Sequence, residues 1–566
     1  MDEVKQKQEV TFRLSDNGMG WLERAGLAGL YMSLEGADEW AHAGMKQAEL
    51  LAVKLDWQLD PDSVRLSWTG SALDSLTGLV RWAWQVRDGV FFLPALHRDQ
   101  DTLTHPAMRL VSHMGILATF LQPGRDLKGL TDHDHMPLDE YGKDLTVNYR
   151  RVGSGAKNSD PVGLPQVNKL KKIVKKGFRT DRTVILPSSC YPGAAKRFGR
   201  KGEKNWRGTP KQAFCLLFAP IGCFYVLLPR SPYGSSAGRV KYAPNWAVVT
   251  PFVEDLAGFA RAVPGIHGKL QKRAESAKTA NLPDAALRCV AAFSSGIVNT
   301  SAGASGATLQ GMTRVAYWPS TSFIRVRNNV MRVSADPLAV RRYQMLLRAL
   351  PNGPAQGSRS TDDDPFAFVN VPDPRGRIAR NILQHTPWYV DLLLVPECDA
   401  GELRERRKKA KEKISVQRLW FDELRLYWRE LMELANEEAM WDDPKAEALL
   451  DLFHSSLRKA LDKEEKDLKK RGGPRELDDR WENKTDQLRR ALMRAKTRDL
   501  LRKTVVELLA EAGGHRKLTS MAGDLWTFLE APGGWQKVRD LALLALVTFT
   551  DGRLGKSNQT EEPEGE

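Results

Sequence analysis

The chain has 566 residues, 42% of them hydrophobic, and a formal charge of +15 at pH 7. That length and content fill roughly two to four domain cores, and the cationic surplus points to a polyanionic partner. Five cysteines without a CxxC pair exclude a zinc ribbon and fit a reducing compartment; the longest apolar run, Leu541 to Val547, is too short to span a bilayer. The opening MDEVKQKQEV has no apolar signal region, so a soluble cytoplasmic protein is expected.

Val10 to Leu14 reads as a short strand and Met19 to Leu34 as a helix containing the small-residue run RAGLAGL. Leu51, Val53, Leu55, Trp57 and Leu59 alternate, as do Val64, Leu66 and Trp68, which predicts two half-buried strands. Leu73, Leu76, Leu79, Val80 and Ala83 return at helical spacing behind Ser71, a candidate N-cap, and GVFFL from Gly89 reads as a strand. A helix is expected over 105–121. Loop composition follows in TDHDHMPLDEYGKD and in RRVGSGAKNSDPVG.

Residues 166–211 dominate the electrostatics. Lys169, Lys171, Lys172, Lys175, Lys176, Arg179, Arg182, Lys196, Arg197, Arg200, Lys201, Lys204, Arg207 and Lys211 face only Asp181 and Glu203, so this one stretch holds most of the chain's surplus charge. Phe178, Tyr191, Phe198 and Trp206 are interleaved with them. Cations displace the counterions of a phosphate backbone, and planar rings stack on bases or pack beneath the cations. Nucleic acid is therefore the expected partner of this stretch, with Trp206 as its stacking candidate.

After it, Ala213 to Pro229 reads as two buried strands broken at Pro220 and Gly222. Ser231 to Lys241 is a glycine-serine loop, Ala247 to Val253 a strand, Pro283 to Phe293 a helix and Ser294 to Gly311 a low-complexity loop. Val315 to Arg327 suggests a strand with Arg325 and Arg327 near its end, and Leu338 to Leu350 a helix. Three loops have small residues that let a backbone approach a groove closely, with Lys157, Asn158, Arg239, Lys241, Asn299 and Gln310 able to reach base edges or phosphates.

Past Gly401 the texture changes. Apolar stripes at helical spacing run through Val416 to Leu434, Leu449 to Leu461, Leu488 to Leu508 and Leu525 to Phe549, with Pro- or Gly-bearing breaks between them. This predicts an antiparallel helical bundle over 401–552, preceded by an α+β region over 1–400 and followed by a disordered acidic tail over 553–566. The bundle opens on RERRKKAKEK, whose Arg406, Lys408, Lys411 and Lys413 are candidate contacts for a single strand.

No catalytic constellation emerges. His133, Asp134 and His135 are ligand types, but adjacent ligands on one segment rarely converge on one ion, and no second cluster accompanies them. His97-Arg98-Asp99 lacks the downstream asparagine of a kinase catalytic loop, and GSGAK lacks the ending of a phosphate-binding loop. A non-enzyme without metal or cofactor is expected.

An α+β region with basic, glycine-rich loops ahead of a helical bundle resembles the large subunit of type I CRISPR-Cas effector complexes (Cascade). RAGLAGL at Arg24 to Leu30 and SALDSLTGLVRWAWQVRDGVFF look like the N-terminal region of the Myxan-type large subunits. The resemblance implies a non-catalytic subunit that contacts the guide RNA 5′ handle, reads the protospacer-adjacent motif in double-stranded DNA and stabilises the R-loop. The implied partners are guide RNA, target DNA, the backbone, handle-binding and small subunits, and a downstream nuclease-helicase or transposition protein; no membrane is involved. Two other classes stay open: a ribonucleoprotein scaffold binding RNA without sequence preference, and a metal-dependent nuclease using His133 and His135.

Overall fold

The computed structural model describes residues 7–87, 89–96, 106–121, 131–137, 144–150, 165–186, 207–236, 239–271, 278–300, 314–319, 331–334, 337–354, 369–394, 416–471, 477–511 and 516–550. They divide into two compact units. One comprises 1–340 and 352–372, the other Arg341–Pro351 and Asp373–Glu566. The first mixes sheets and helices, and from about residue 418 the elements of the described residues are all helices, so the α+β region followed by a helical bundle stands.

The first unit opens on an antiparallel sheet in the order β1 (Gln8–Arg13), β3 (Ser63–Trp68), β2 (Asp56–Asp60), with Phe12 opposite Val64 and Trp57 opposite Leu66. Helix α1 (Trp21–His42) is buried along most of its length. Its RAGLAGL run has a packing reason. A Cβ on Gly26 or Gly29 would overlap the carbonyl oxygen of Cys215 or Phe218, and one on Gly222 would overlap that of Ala25. Small residues here let two backbones touch.

Helix α2 (Lys46–Lys54) replaces the first half of the expected alternating strand. Ala48, Leu51 and Leu55 are buried at helical spacing, whereas Val53, which a strand would place inside, is 82% exposed. Helix α3 (Ala72–Ala83) begins as expected, with the Ser71 hydroxyl accepting from the Asp74 amide at 3.3 Å. Strands β4 (Gln85–Arg87) and β5 (Val90–Phe92) pair next, and α4 (Pro106–Ile116) continues into a π turn over Leu117–Leu121.

The segment expected to be a loop around His133 forms a hairpin instead: β6 (Thr131–Pro137) pairs with β7 (Asp144–Arg150), setting His133 opposite Asn148 and His135 opposite Thr146. Asp and His favour turns, but Leu145, Val147 and Tyr149 alternate on the partner strand.

Helix α5 (Pro165–Val174) leads to the paired strands β8 (Val184–Ile185) and β9 (Arg207–Gly208), then to α6 (Pro210–Cys215). The two strands expected over 213–229 are corrected here. Thr209 and Gln212 form a reciprocal capping box, with Pro210 in the first helical turn, so the apolar run begins as a helix and turn and enters strand only at Phe224. A short run buried on all sides carries no period to separate helix from strand.

A four-stranded antiparallel sheet follows in the order β10 (Phe224–Ser236), β11 (Arg239–Pro251), β12 (Arg314–Pro319), β13 (Met331–Ser334). Its inner residues, from Phe224 to Leu228 and Trp246 to Val249, are buried. Helices α7 (Leu256–Gln271) and α8 (Leu282–Thr300) pack together beside it. The glycine-serine segment 231–241 is thus two strand arms, and 294–300 is helical.

The second unit takes in most of α9 (Pro337–Ala349), α10 (Asp373–Leu383) and α11 (Val416–Arg425) through α12 (Trp428–Ala435), α13 (Pro444–Arg471), α14 (Leu477–Arg494), α15 (Arg498–Glu511), α16 (Arg516–Glu530) and α17 (Gly534–Thr548). Helix α17 is its hub: Val538 and Asp540 to Val547 are buried, and α11 through α16 all pack on it. The compact unit starts earlier than the texture change at 401. Trp388, Tyr389 and Leu392 are buried, Trp388 stacks edgewise on Trp441 with centroids 5.9 Å apart, and Trp420 donates to the Leu392 carbonyl at 3.2 Å. Arg342 also ties α9 in, donating to the Ala439 carbonyl at 2.6 Å and pairing with Asp442 at 2.7 Å.

Candidate nucleic-acid interface

Helix α5 splits its residues by chemistry. Leu170 and Ile173 are buried against the scaffold of α3 and α6, while Lys171, Lys172, Lys175 and Lys176, in the helix's last turn and just past it, are exposed. Two like-charged pairs at i,i+4 result, each costing a helix about 0.2–0.5 kcal/mol. Among the described residues no carboxylate pairs with these four lysines. Stability alone does not account for such a face.

The helix ends at Gly177, whose φ of +66° lies in the left-handed region, and its amide bonds back to the Val174 carbonyl at 2.9 Å. Phe178 then turns inward. Its ring meets Phe12 at 5.6 Å and Phe214 at 5.5 Å, both nearly perpendicular, against a Phe12–Phe214 stack at 5.1 Å. Phe178 is therefore an anchor that holds the lysine face on β1 and α6, and it is not offered to bases. Arg182 donates to the Lys176 carbonyl at 2.9 Å, fastening the end of the helix, and Arg179 pairs with Asp181 at 3.1 Å.

Lys211, counted among the cations from sequence, belongs to the scaffold. It pairs with Asp16 at 3.2 Å with both side chains about one-fifth exposed, and the neighbouring Gln212 donates to the Gly18 carbonyl. Arg207 is exposed on β9. The structure thus brings Lys171, Lys172, Lys175 and Lys176 together and removes Lys211 from the group.

Lys196, Arg197, Arg200, Lys201, Lys204 and Trp206 lie outside the described residues, as do Lys157, Asn158, Gln310, Arg325, Arg327, Arg406, Lys408, Lys411 and Lys413. The Lys169 and Asn299 side chains also lie outside them; their backbones sit in α5 and near the end of α8. Arg239 and Lys241 occupy the turn end of β11, opposite Ser236 and Gly234 of β10. Before Ala247, β11 pairs only with β10 among the described strands, so these residues sit on a two-stranded ribbon.

The thiols of the first unit are chemically quiet. Burial pushes Cys223 and Cys289 up to about 12 and raises Cys215 further, so all three stay protonated. No helix among the described residues is long and apolar enough to cross a membrane.

No curated protein matches the chain. Residues 11–217, from β1 to just past α6 and including the lysine face, match the family model of the DevT N-terminal domain. Residues 436–566, from the end of α12 onward, match that of the DevT C-terminal domain, so the chain is similar to DevT in both named domains and in their order.

Proposed function

We propose that the protein is a non-catalytic, cytoplasmic nucleic-acid-binding subunit of a type I CRISPR RNA-guided complex, contacting the guide RNA handle and recognising a short motif in duplex DNA. The observation that carries this reading is the α5 face: four exposed lysines without acidic partners, held rigid by Leu170, Ile173 and the Phe178 anchor. A fixed cationic face neutralises backbone phosphates without reading sequence, which suits a protein whose specificity comes from guide pairing. The β10–β11 ribbon supports the motif-reading half of the proposal, because a two-stranded ribbon is one of the element types a major groove admits.

The test is binding by the complex assembled with guide RNA. Changing Lys171, Lys172, Lys175 and Lys176 to glutamate should weaken binding to every target sequence. It should also flatten the log-log salt dependence by about 0.9 for each B-DNA phosphate that is no longer neutralised. Unchanged affinity and slope in a folded variant would falsify the assignment. A protein that binds RNA equally well without the guide, and shows no preference among duplexes, would be a general RNA scaffold.

A further inference from the structure

The second unit holds a concentration of the opposite charge. In a chain of formal charge +15, residues 430–443 (ELMELANEEAMWDD) carry six carboxylates and no cation. Three of these have structural reasons. Glu430 sits in the first turn of α12, where the helix dipole favours an anion; Asp442 pairs with Arg342 at 2.7 Å; and the Asp443 carboxylate accepts from the Lys445 amide at 2.9 Å as α13 begins. Glu433, Glu437 and Glu438 have none. They are exposed, with no ion pair among the described residues, and Glu433 stands in the last turn of α12, where the dipole favours a cation instead.

Glu433 and Glu437 line a cleft. It lies within the second unit, has a volume of about 390 Å³, and opens between the C-terminal turn of α9 and the end of α12. Met345, Ala349 and Leu434 are buried at its floor, while Arg348, Glu433 and Glu437 are exposed at its rim. Arg348 is in the last turn of α9, where its charge suits the dipole. Arg342 fixes that helix in place, donating to the Ala439 and Trp441 carbonyls at 2.6 Å and 3.3 Å, so the cleft is framed from both sides.

Carboxylates above an apolar floor are complementary to a cation on an apolar stem, which is the chemistry of a lysine or arginine side chain. A bare metal ion fits less well, because among the described residues no three metal-ligating side chains converge. A phosphate-bearing ligand would be repelled by the glutamates. The volume lies near the lower end of the roughly 300–1,000 Å³ of ligand sites, so the cleft accepts one or two side chains of a segment and not a folded surface.

We propose that the cleft between α9 and the end of α12 is a docking site for a lysine- or arginine-bearing segment of a partner protein. Glu433 and Glu437 hold the cation, and Met345, Ala349 and Leu434 receive its stem. The site is independent of the nucleic-acid reading and is tested without nucleic acid. The probe is hexalysine, labelled with fluorescein for anisotropy and, in a second preparation, with a diazirine whose cross-links to the full chain are mapped by mass spectrometry.

Cross-links are expected on 345–349 and 433–437. Glu433→Gln with Glu437→Gln should weaken hexalysine binding about fivefold, since each exposed ion pair is worth little alone, and should abolish those cross-links. Arg348→Ala should strengthen binding about twofold by removing the opposing charge. The control is Asp479→Asn with Glu507→Gln, exposed carboxylates on α14 and α15, which removes the same charge and should leave affinity and cross-links unchanged. Circular dichroism should report unchanged helicity in every variant.

Equal losses in the cleft and control variants would reduce the effect to net charge. Hexalysine that does not bind, or that cross-links only elsewhere in the chain, would remove the site. Hexaglutamate bound as tightly as hexalysine would overturn the sign of the assignment. Self-association in sedimentation velocity that disappears with Glu433→Gln and Glu437→Gln would make the occupant a second copy of the chain and overturn the partner assigned here.

Discussion

Lys211 reaches back 195 residues to Asp16, Nζ to Oδ2 at 3.2 Å, and so pins the start of α6 to the turn that precedes α1. Both side chains are about one-fifth exposed, which makes this a partly shielded pair. Replacing Lys211 with alanine should cost about 1 kcal/mol in chemical denaturation and leave the salt dependence of binding unchanged. The α5 lysines should do the opposite, lowering the salt slope with little change in stability. An equal drop in slope for Lys211→Ala would return it to the binding face.

The contact between α1 and the turn after α6 should be intolerant of a single methyl group. Gly222→Ala places its Cβ against the Ala25 carbonyl oxygen, and Gly26→Ala against that of Cys215. Backbone atoms on both sides leave no flexible side chain to yield, so each change should destabilise by about 1–3 kcal/mol. Gly265→Ala meets nothing within 4 Å and serves as the control. Melting temperatures that do not separate the two classes would contradict the close approach.

His454 gives the second unit a pH dependence. Its Nε2 lies 2.9 Å from the Thr548 hydroxyl, and burial lowers its pKa below the ordinary value, with Arg458 acting the same way and Asp451 opposing. The unfolded state therefore takes up the proton more readily than the folded one. Stability from this group is fully present above about pH 6.5 and is lost as pH falls through the window below it. The buried carboxyls Asp422 and Asp540, raised chiefly by burial, act in the opposite direction. Comparing the native chain with His454→Gln isolates the histidine: the native chain should lose more stability between about pH 7.5 and about pH 5.5. Parallel curves would show that His454 does not titrate there.

Cutting the chain at 401 should damage the bundle. A fragment over 401–552 lacks Trp388, Tyr389 and Leu392, and it lacks the Asp391 amide that donates to Asp540 at 2.9 Å. It also lacks Arg342, which satisfies the Ala439 carbonyl. A fragment over 337–552 retains all of these and should melt cooperatively by far-UV circular dichroism. The shorter one should melt lower or more broadly, because its exposed cavity loses about 2–5 kcal/mol per large apolar group removed. Identical melts would place those residues outside the cooperative unit.

Much of this architecture is determined by local pattern. The stripes through Trp420, Leu424, Leu431 and Leu434, and through Leu449, Phe453 and Leu457, repeat at helical spacing, and those residues are buried. The Leu541–Val547 run, apolar on all sides, forms the central helix, as a stretch without a polar face must. The lysines of α5 are equally plain, since a charge cluster needs no partner to be recognised.

Tertiary structure decided what local pattern leaves degenerate. Leu51, Val53 and Leu55 alternate as well as they fit a helix, and only burial of Ala48 and exposure of Val53 separates the two. Leu419 and Tyr427, within the stripe from Val416 to Leu434, and Trp526, within that from Leu525 to Phe549, are half-buried, because a stripe marks a helix face without marking its edge. Phe178 and Lys211 take their roles within the basic stretch from distant neighbours, Phe12 and Asp16. Whether an aromatic ring stacks on a base or anchors a helix, and whether a cation is free or paired, depends on contacts between residues far apart in the chain. Side-chain chemistry supplies the capacity for both roles, and the fold selects one.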